Sequence, residues 1–202
     1  MKILEKRVSG VNGRVVVAKS LGLGIYIQVM GLTQSGGIVT RIWKQTLKNI
    51  KKLKPDVKNS LILGLGGGTA AGVIKNLWPE ANVTGVEIDP VMVELGRKYL
   101  DLSVDKLYIG DGQRAVARVK LSYDLILVDC YLGDKFPEKF EDPSFLKKIL
   151  KILKPAGIAV FNRLYYGDKR KEAYKFGEKL KKVFPEIEYF YPDANVMFIC
   201  RT

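Results

Sequence analysis

Leu61-Ile62-Leu63-Gly64-Leu65-Gly66-Gly67-Gly68-Thr69 is an apolar run of strand type that breaks into four glycines within five residues. It then passes into a helical pattern reaching about Leu77. A strand, a glycine turn and a helix in direct succession open a β-α unit, and the chain repeats that unit downstream. Asn82–Ile88 reads as the next strand and Pro90–Leu100 as its helix. Lys106–Ile109 and Gln113–Val119 follow as a third pair. Tyr123–Cys130 is almost continuously apolar, as expected of a parallel strand covered on both faces. After a long loop, a helix spans Pro143–Leu153 and ends at the turn Lys154-Pro155-Ala156-Gly157, before a strand at Ile158–Leu164 and a lysine-rich helix at Lys169–Val183. Ile187–Tyr191 and Val196–Arg201 are joined by Pro192-Asp193-Ala194-Asn195, too short for a crossover helix, so that pair is antiparallel. The expected fold is α/β: a doubly wound, mostly parallel sheet with an antiparallel C-terminal strand pair.

Upstream of Ser60 the pattern changes. Ile3–Val8, Arg14–Lys19 and Gly24–Val29 are short β-type runs separated by glycine turns. From Ile38 to Leu53, Ile42, Trp43, Leu47, Ile50 and Leu53 recur at helical spacing with lysines between them, and Pro55 closes the run. We therefore divide the chain into residues 1–58, a small β-rich segment plus a helix, and residues 59–202, the α/β domain. The charge divides similarly. The 202 residues carry 34 Lys+Arg against 21 Asp+Glu, a net +13. Met1–Lys58 holds twelve basic residues opposed only by Glu5 and Asp56, which leaves +3 for all the rest. Such asymmetry suits a polyanionic or non-cationic partner, or simply a solvated lysine surface.

The chain has no histidine and only two cysteines, Cys130 and Cys200. That excludes imidazole bases, Ser-His-Asp and Cys-His triads, His-containing zinc sites, all-cysteine metal cages and disulfide frameworks. No metal site is expected. No apolar run reaches the ~18 residues of a membrane span, and a cytoplasmic setting with no membrane partner is expected.

Glycines between a strand and a helix let a ligand approach the main chain beside the positive end of the helix. Val86-Glu87-Ile88-Asp89 ends the second strand, and Glu87 lies 19 residues beyond Gly68. That is close to the ~20 expected of an acid holding ribose hydroxyls; Asp89 suits a helix cap instead. The third strand ends in Gly110-Asp111-Gly112, where a carboxylate can accept from an exocyclic amine and neighbouring N–H groups can serve ring nitrogens. The glycine spacing G-x-G-G-G differs from the dinucleotide pattern G-x-G-x-x-G. A nucleoside-type ligand fits better than NAD.

With these motifs in hand, Leu61–Asn162 resembles the Rossmann-like class I S-adenosylmethionine-dependent transferases, and within them the spermidine synthase group. The resemblance is carried by Leu63–Gly68, Val86–Asp89, Gly110–Gly112, Tyr123–Asp129, and Pro143–Asn162 with Phe145-Leu146 and Leu153–Gly157. Gly31-Leu32-Thr33-Gln34-Ser35 sits where that group has a D-G-x-x-Q-S turn. The resemblance implies that Glu87, with Ile88 beside it, holds the ribose and that Asp111 and Gly112 hold the adenine. It further implies that Gly64, Gly66 and Gly68 face the sulfonium-side tail and that Gln34 covers the nucleoside.

Three departures bear on which group is transferred. Thr69 stands where aminopropyltransferases of the group have the acid of G-G-G-D-G. Asp129-Cys130-Tyr131-Leu132 keeps the first acid of D-x-x-D and loses the second, unless Asp134 replaces it. Val39–Gln45 replaces D-E-x-x-Y-H-E. A polyamine would thus lose carboxylates and meet the +10 segment, at roughly 4 kcal/mol per like-charge pair ~4 Å apart at an effective dielectric of ~20. Methyl transfer from intact S-adenosylmethionine is the expected reaction, with Asp129 as the catalytic acid–base group and also in contact with the donor. Tyr131 and Tyr165, with Tyr166, are candidates for the acceptor pocket, and the acceptor itself is unassigned. Two alternatives stay open: aminopropyl transfer from decarboxylated S-adenosylmethionine to a polyamine, and a non-catalytic nucleoside- or nucleic-acid-binding protein. A homodimer is compatible with the small β-rich segment and its open strand edges.

Overall fold

The computed structural model describes residues 1–202. The chain runs β1 (Lys2–Ser9), β2 (Gly13–Ser20), β3 (Gly24–Val29), β4 (Leu32–Gly36), α1 (Gly37–Leu53), β5 (Asn59–Leu63), α2 (Thr69–Leu77), β6 (Asn82–Glu87), α3 (Pro90–Tyr99), β7 (Lys106–Ile109), α4 (Gly112–Arg118), β8 (Tyr123–Val128), α5 (Pro143–Ile152), β9 (Leu153–Leu164), α6 (Lys169–Lys181), β10 (Glu186–Phe190) and β11 (Asn195–Arg201). A single 3-10 turn, Glu138–Phe140, interrupts the loop before α5.

Seven strands form the large sheet in the order β10-β11-β9-β8-β5-β6-β7. β7, β6, β5, β8 and β9 are parallel, and β11 and β10 return antiparallel. Strand alternation sends Leu61 and Leu63 to one face, into a core shared with α5 and α6. Ile62, between them, points to the other face, where α1 and α2 pack. Every residue of β8 is buried, as expected of a largely apolar parallel strand; its one charged residue, Asp124, accepts from Lys58 N and Asn59 N and pairs with Lys154. The chain winds from β5 out to β7, then crosses back to β8. The crevice outside the carboxyl ends of β5 and β8 is therefore a topological switch point, where such sheets bind ligands. No helix is long and apolar enough to cross a membrane.

β1–β4 form a separate antiparallel sheet. Its inner residues Val15, Val17, Ile27 and Val29 pack on Met92 and Leu95 of α3. The two bodies are also pinned by polar contacts. Ser9 Oγ donates to Asp89 Oδ2 at 2.6 Å, and Asn12 Nδ2 donates to the same oxygen at 2.6 Å. Asp89 Oδ1 meanwhile accepts from Val91 N, capping α3 as expected.

Two local readings are corrected. The segment around Gln34 is strand β4 rather than a turn: Val29 pairs with Leu32 and Gln28 with Thr33. The turn lies one step earlier, at Met30 and Gly31, both with positive φ, as a two-residue hairpin loop demands. Leu-Thr-Gln-Ser-Gly carries little strand propensity, so pairing with β3 decides its conformation. The second correction concerns Lys154–Gly157, which does not separate a helix from a later strand. β9 begins at Leu153, paired with Tyr123, and resumes at Ile158, paired with Leu125. The intervening residues bulge out, with Ala156 at φ 55.

Candidate functional site: a nucleoside-sized cavity at the switch point

A cavity of about 410 Å³ lies over the carboxyl ends of β5, β6, β7 and β8, walled on the other side by β4 and α1. Gly64 follows β5 in the left-handed region at φ +83, and a Cβ there would come within 2.2 Å of the Asp129 carbonyl oxygen. Only glycine lets the loops after β5 and β8 approach this closely. Gly66, Thr69 and Ala70 continue the wall. Gly68 does not line it. Gly68 caps α2 at φ +89, and a side chain there would strike Leu102, so its part is packing.

The small sheet completes the floor through β4. Ser35 Oγ accepts from Gly67 N at 2.7 Å, Gly36 N donates to Thr69 Oγ1 at 2.7 Å, and Gln34 Nε2 donates to Gly133 O at 3.1 Å. Gln34 thereby links the small sheet to the loop after β8, above the glycine loop. These links are not legible in the sequence, because they join residues some 30 to 100 positions apart.

Glu87, Ile88, Asp111 and Gly112 all line the cavity. Glu87 Oε2 accepts from Gly66 N at 2.6 Å and Oε1 from Asp89 N at 2.9 Å, which fixes the carboxyl group. Burial raises its pKa against the opposing pull of those N–H groups. Beside it Ile88 is 43 % exposed, an apolar surface left open between two acids. Asp111 caps α4 by accepting from Arg114 N at 2.9 Å and is ion-paired with Lys139 from the 3-10 turn. Burial raises the Asp111 pKa, but Lys139 and the Arg114 N–H outweigh it and leave the carboxyl below its usual range. Lys139, which lies over the Phe140 ring, is the sole basic residue on the wall. Sequence reasoning misses it, since nothing in the chain ties the loop before α5 to β7.

Asp129 sits at the far end, beyond β8. Its Oδ2 accepts from Trp43 Nε1 at 3.1 Å and its Oδ1 from Asn162 Nδ2 at 2.8 Å. Asn195 Nδ2 in turn donates to Asn162 Oδ1 at 2.8 Å. Burial with no cation opposite raises the Asp129 pKa to about 6, even though Asn162 and Trp43 pull it down. Trp43 is fully buried on the apolar stripe of α1, as its spacing implied, but its indole N–H also orients the carboxylate. Tyr131 lines the same end, and its hydroxyl is committed: it accepts from Leu164 N at 2.9 Å and donates to Asn162 O at 3.1 Å. Tyr165 is not on the wall. It packs on Tyr191 with ring centroids 5.1 Å apart, and its neighbour Tyr166 faces the cavity instead. Asp134 does not replace the missing acid either; it turns outward to Lys169 at 3.3 Å.

The charge of the wall reverses that of the chain. Glu87, Asp111, Asp129 and Asp193 face the cavity against Lys139 alone. None of the twelve basic residues of Met1–Lys58 lines it. The electrostatic objection to a cationic acceptor therefore fails: the +10 lies outside the site. Asp193, at the rim, is already paired with Arg41.

A nucleoside fits this arrangement: an acid at the end of β6, an exposed apolar residue beside it, a second acid after β7 and a glycine loop open to the main chain. Known proteins bear on the chain's kinship. The probable polyamine aminopropyl transferase of Bifidobacterium longum (strain NCC 2705) is 30 % identical over 143 residues, covering 70 % of this chain and 32 % of that protein. The eEF1A lysine and N-terminal methyltransferase homolog of Drosophila melanogaster is 32 % identical over 172 residues, covering 77 % of this chain and 25 % of that protein. The chain thus spans a third or less of these two relatives. The crystal structure of a probable spermidine synthase from Corynebacterium glutamicum ATCC 13032 superposes with a TM-score of 0.80 at 19 % identity. That match covers 98 % of this chain and 79 % of that one, and shows a shared fold. Residues 42–193, which contribute β5 to β10 and all four carboxylates of the cavity wall, match the spermine/spermidine synthase domain, and to that family this chain belongs.

Proposed function

We propose that the cavity binds S-adenosylmethionine and that the chain is the methyltransferase domain of a transferase. In this reading Glu87 holds the ribose hydroxyls, Asp111 and the Gly112 N–H receive the adenine, and Ile88 covers its edge. Gly64 and Gly66 admit the sulfonium-side tail to the main chain, with Gln34 and Thr69 as its polar neighbours. When bound, the donor supplies an electrophilic methyl group. Asp129 holds the acceptor nucleophile in line and takes up its proton, and Trp43 and Asn162 hold Asp129.

The observation that carries this reading is the state of the four carboxylates. Glu87 and Asp111 are engaged at the nucleoside end and Asp193 is paired with Arg41. Away from the nucleoside end, Asp129 is the wall carboxylate with no cation opposite it. A polyamine with two or three charges needs a carboxylate for each desolvated ammonium, whereas one amine or a neutral nucleophile needs only one. Isothermal titration with S-adenosylmethionine and with its decarboxylated form tests the reading. Tighter binding of the intact donor is expected; a clear preference for the decarboxylated form overturns it.

The second reading, aminopropyl transfer, is supported by the net negative wall and by the aminopropyl transferase relatives. It predicts release of methylthioadenosine when decarboxylated donor is supplied with putrescine or agmatine.

A further inference from the structure

We propose that the outer face of α1 is a docking surface for the phosphate backbone of nucleic acid, because its lysines stand without partners. α1 contains no acidic residue, and Lys44, Lys48, Lys51 and Lys52 are all exposed. None of the four has a carboxylate within ion-pairing distance. The acids beside the helix are spoken for: Glu188 meets Asn49 and Arg201, and Asp193 meets Arg41. Lys51 turns back to the Leu77 carbonyl and lies over the Trp78 ring. Lys44, Lys48 and Lys52 remain as a row of free ammonium groups one helical turn apart.

Unpaired lysines also occur on α5, at Lys147, Lys148 and Lys151, and at Lys175 and Lys182, but only α1 sets three of them at successive i, i+4 positions with no acid in the helix. The comparable row on α6, Lys171, Lys175 and Lys179, is neutralised at both ends. On and around α6, Lys169 pairs with Asp134 and Glu172, Lys171 with Asp168, Lys179 with Glu141 and Lys181 with Glu178. Like charges four residues apart repel each other along a helix. A row left unneutralised on α1 is therefore stabilised by an external polyanion with regularly spaced charges, which successive phosphates of a strand supply. The row steps about 6 Å per lysine along the axis. No aromatic side chain is exposed on α1, and Trp43 is fully buried, so the face offers charge and no base stacking. Binding is then independent of sequence and governed by counterion release. The opposite side of the same helix, through Ile38, Val39, Ile42 and Trp43, walls the cavity. A strand held on α1 lies one helix diameter from the site.

The test is fluorescence anisotropy with a labelled, mixed-sequence single-stranded RNA across a salt series. The wild-type chain, the triple variant Lys44→Gln, Lys48→Gln, Lys52→Gln, and a control variant Lys171→Gln, Lys175→Gln, Lys182→Gln are compared. The two variants lose equal charge from exposed positions, and circular dichroism reports their folding. The α1 variant is expected to flatten the slope of log K against log salt by about 2, from ~0.7 for each phosphate no longer neutralised, and the control to keep the wild-type slope. Equal losses in both variants, an unchanged slope in the α1 variant, or no RNA binding by the wild type overturns the proposal. Competition by polyglutamate as strong as by unlabelled RNA also overturns it, by pointing to an acidic protein.

Discussion

The cavity wall and the outer face of α1 lie on two sides of one helix and carry opposite charge. On the inner side four carboxylates face a single lysine. On the outer side lysines stand without any acid in their own helix. Net charge alone would have assigned one character to both. What a ligand meets is the local field, set by which side chains the fold turns inward and how deeply they are desolvated. The buried side holds few charges, each fixed by named hydrogen bonds. The exposed side holds many, screened by solvent and free to move.

The largest effect is expected from Asp129→Asn, which removes the wall carboxylate that no cation engages at the acceptor end of the cavity. If Asp129 takes up the acceptor's proton, transfer falls by about 10²–10⁴-fold. In the wild type, activity drops as pH falls through about 6, where the carboxylate protonates; in the variant this limb disappears. The stability consequence has the opposite sign. The folded pKa lies above the ordinary value of 3.8, so ionisation opposes folding, and stability decreases as pH rises from about 4 to about 6. Thermal melts across that range should show the decrease in the wild type and a flatter profile in the variant. An unchanged rate and pH profile would show that Asp129 serves structure alone.

Thr69→Asp comes next. It places a carboxylate beside the tail end of the cavity, where Thr69 Oγ1 now accepts from Gly36 N. Titration should show the ratio of affinities for intact over decarboxylated donor falling by about 10–100-fold. That is the scale of one new charge-assisted hydrogen bond to the donor's ammonium and one new repulsion of its carboxylate. An unchanged ratio would mean that residue 69 does not face the tail.

Trp43→Phe keeps the ring in the core and removes the N–H that holds Asp129 Oδ2. Without that donor the Asp129 pKa rises further. The acidic limb of the rate profile should move above pH 6 while the rate at its plateau changes only a few-fold. A lowered plateau with no shift would assign Trp43 to packing.

The smallest effect belongs to a hydrogen bond outside both regions. Ser9→Ala removes the hydroxyl that donates to Asp89 and joins the small sheet to α3. It should cost about 1.5–3 kcal/mol of stability in denaturant melts, as is usual for a buried hydrogen bond to a charged group. Nucleoside affinity should stay unchanged; a parallel loss of affinity would couple the small sheet to the cavity.

Much of this architecture is legible in the chain itself. The β-α alternation from Ser60 onward, the glycine turn after β5, the acids ending β6 and β7, and the buried stripe of α1 are all local patterns. Hydrophobic period, turn chemistry and spacing within some thirty residues decide them. β4 is not legible, because Leu-Thr-Gln-Ser-Gly becomes a strand only by pairing with β3 across Met30-Gly31. Nor is the bulge at Lys154–Gly157, which exists because β9 must keep register with β8 on both sides of it.

Sequence by itself determined the sheet, its switch point and the residue types that gather there, because strand and helix periodicity are properties of neighbours along the chain. Only the tertiary structure decided which groups meet. It brought Trp43 and Asn162 to Asp129, Lys139 to Asp111 and Arg41 to Asp193, and it turned Tyr165 away while admitting Tyr166. Above all it kept the twelve N-terminal cations off the cavity wall. Hydrogen bonds and ion pairs act over a few ångströms of space, and sequence distance says nothing about such proximity until the sheet has been wound.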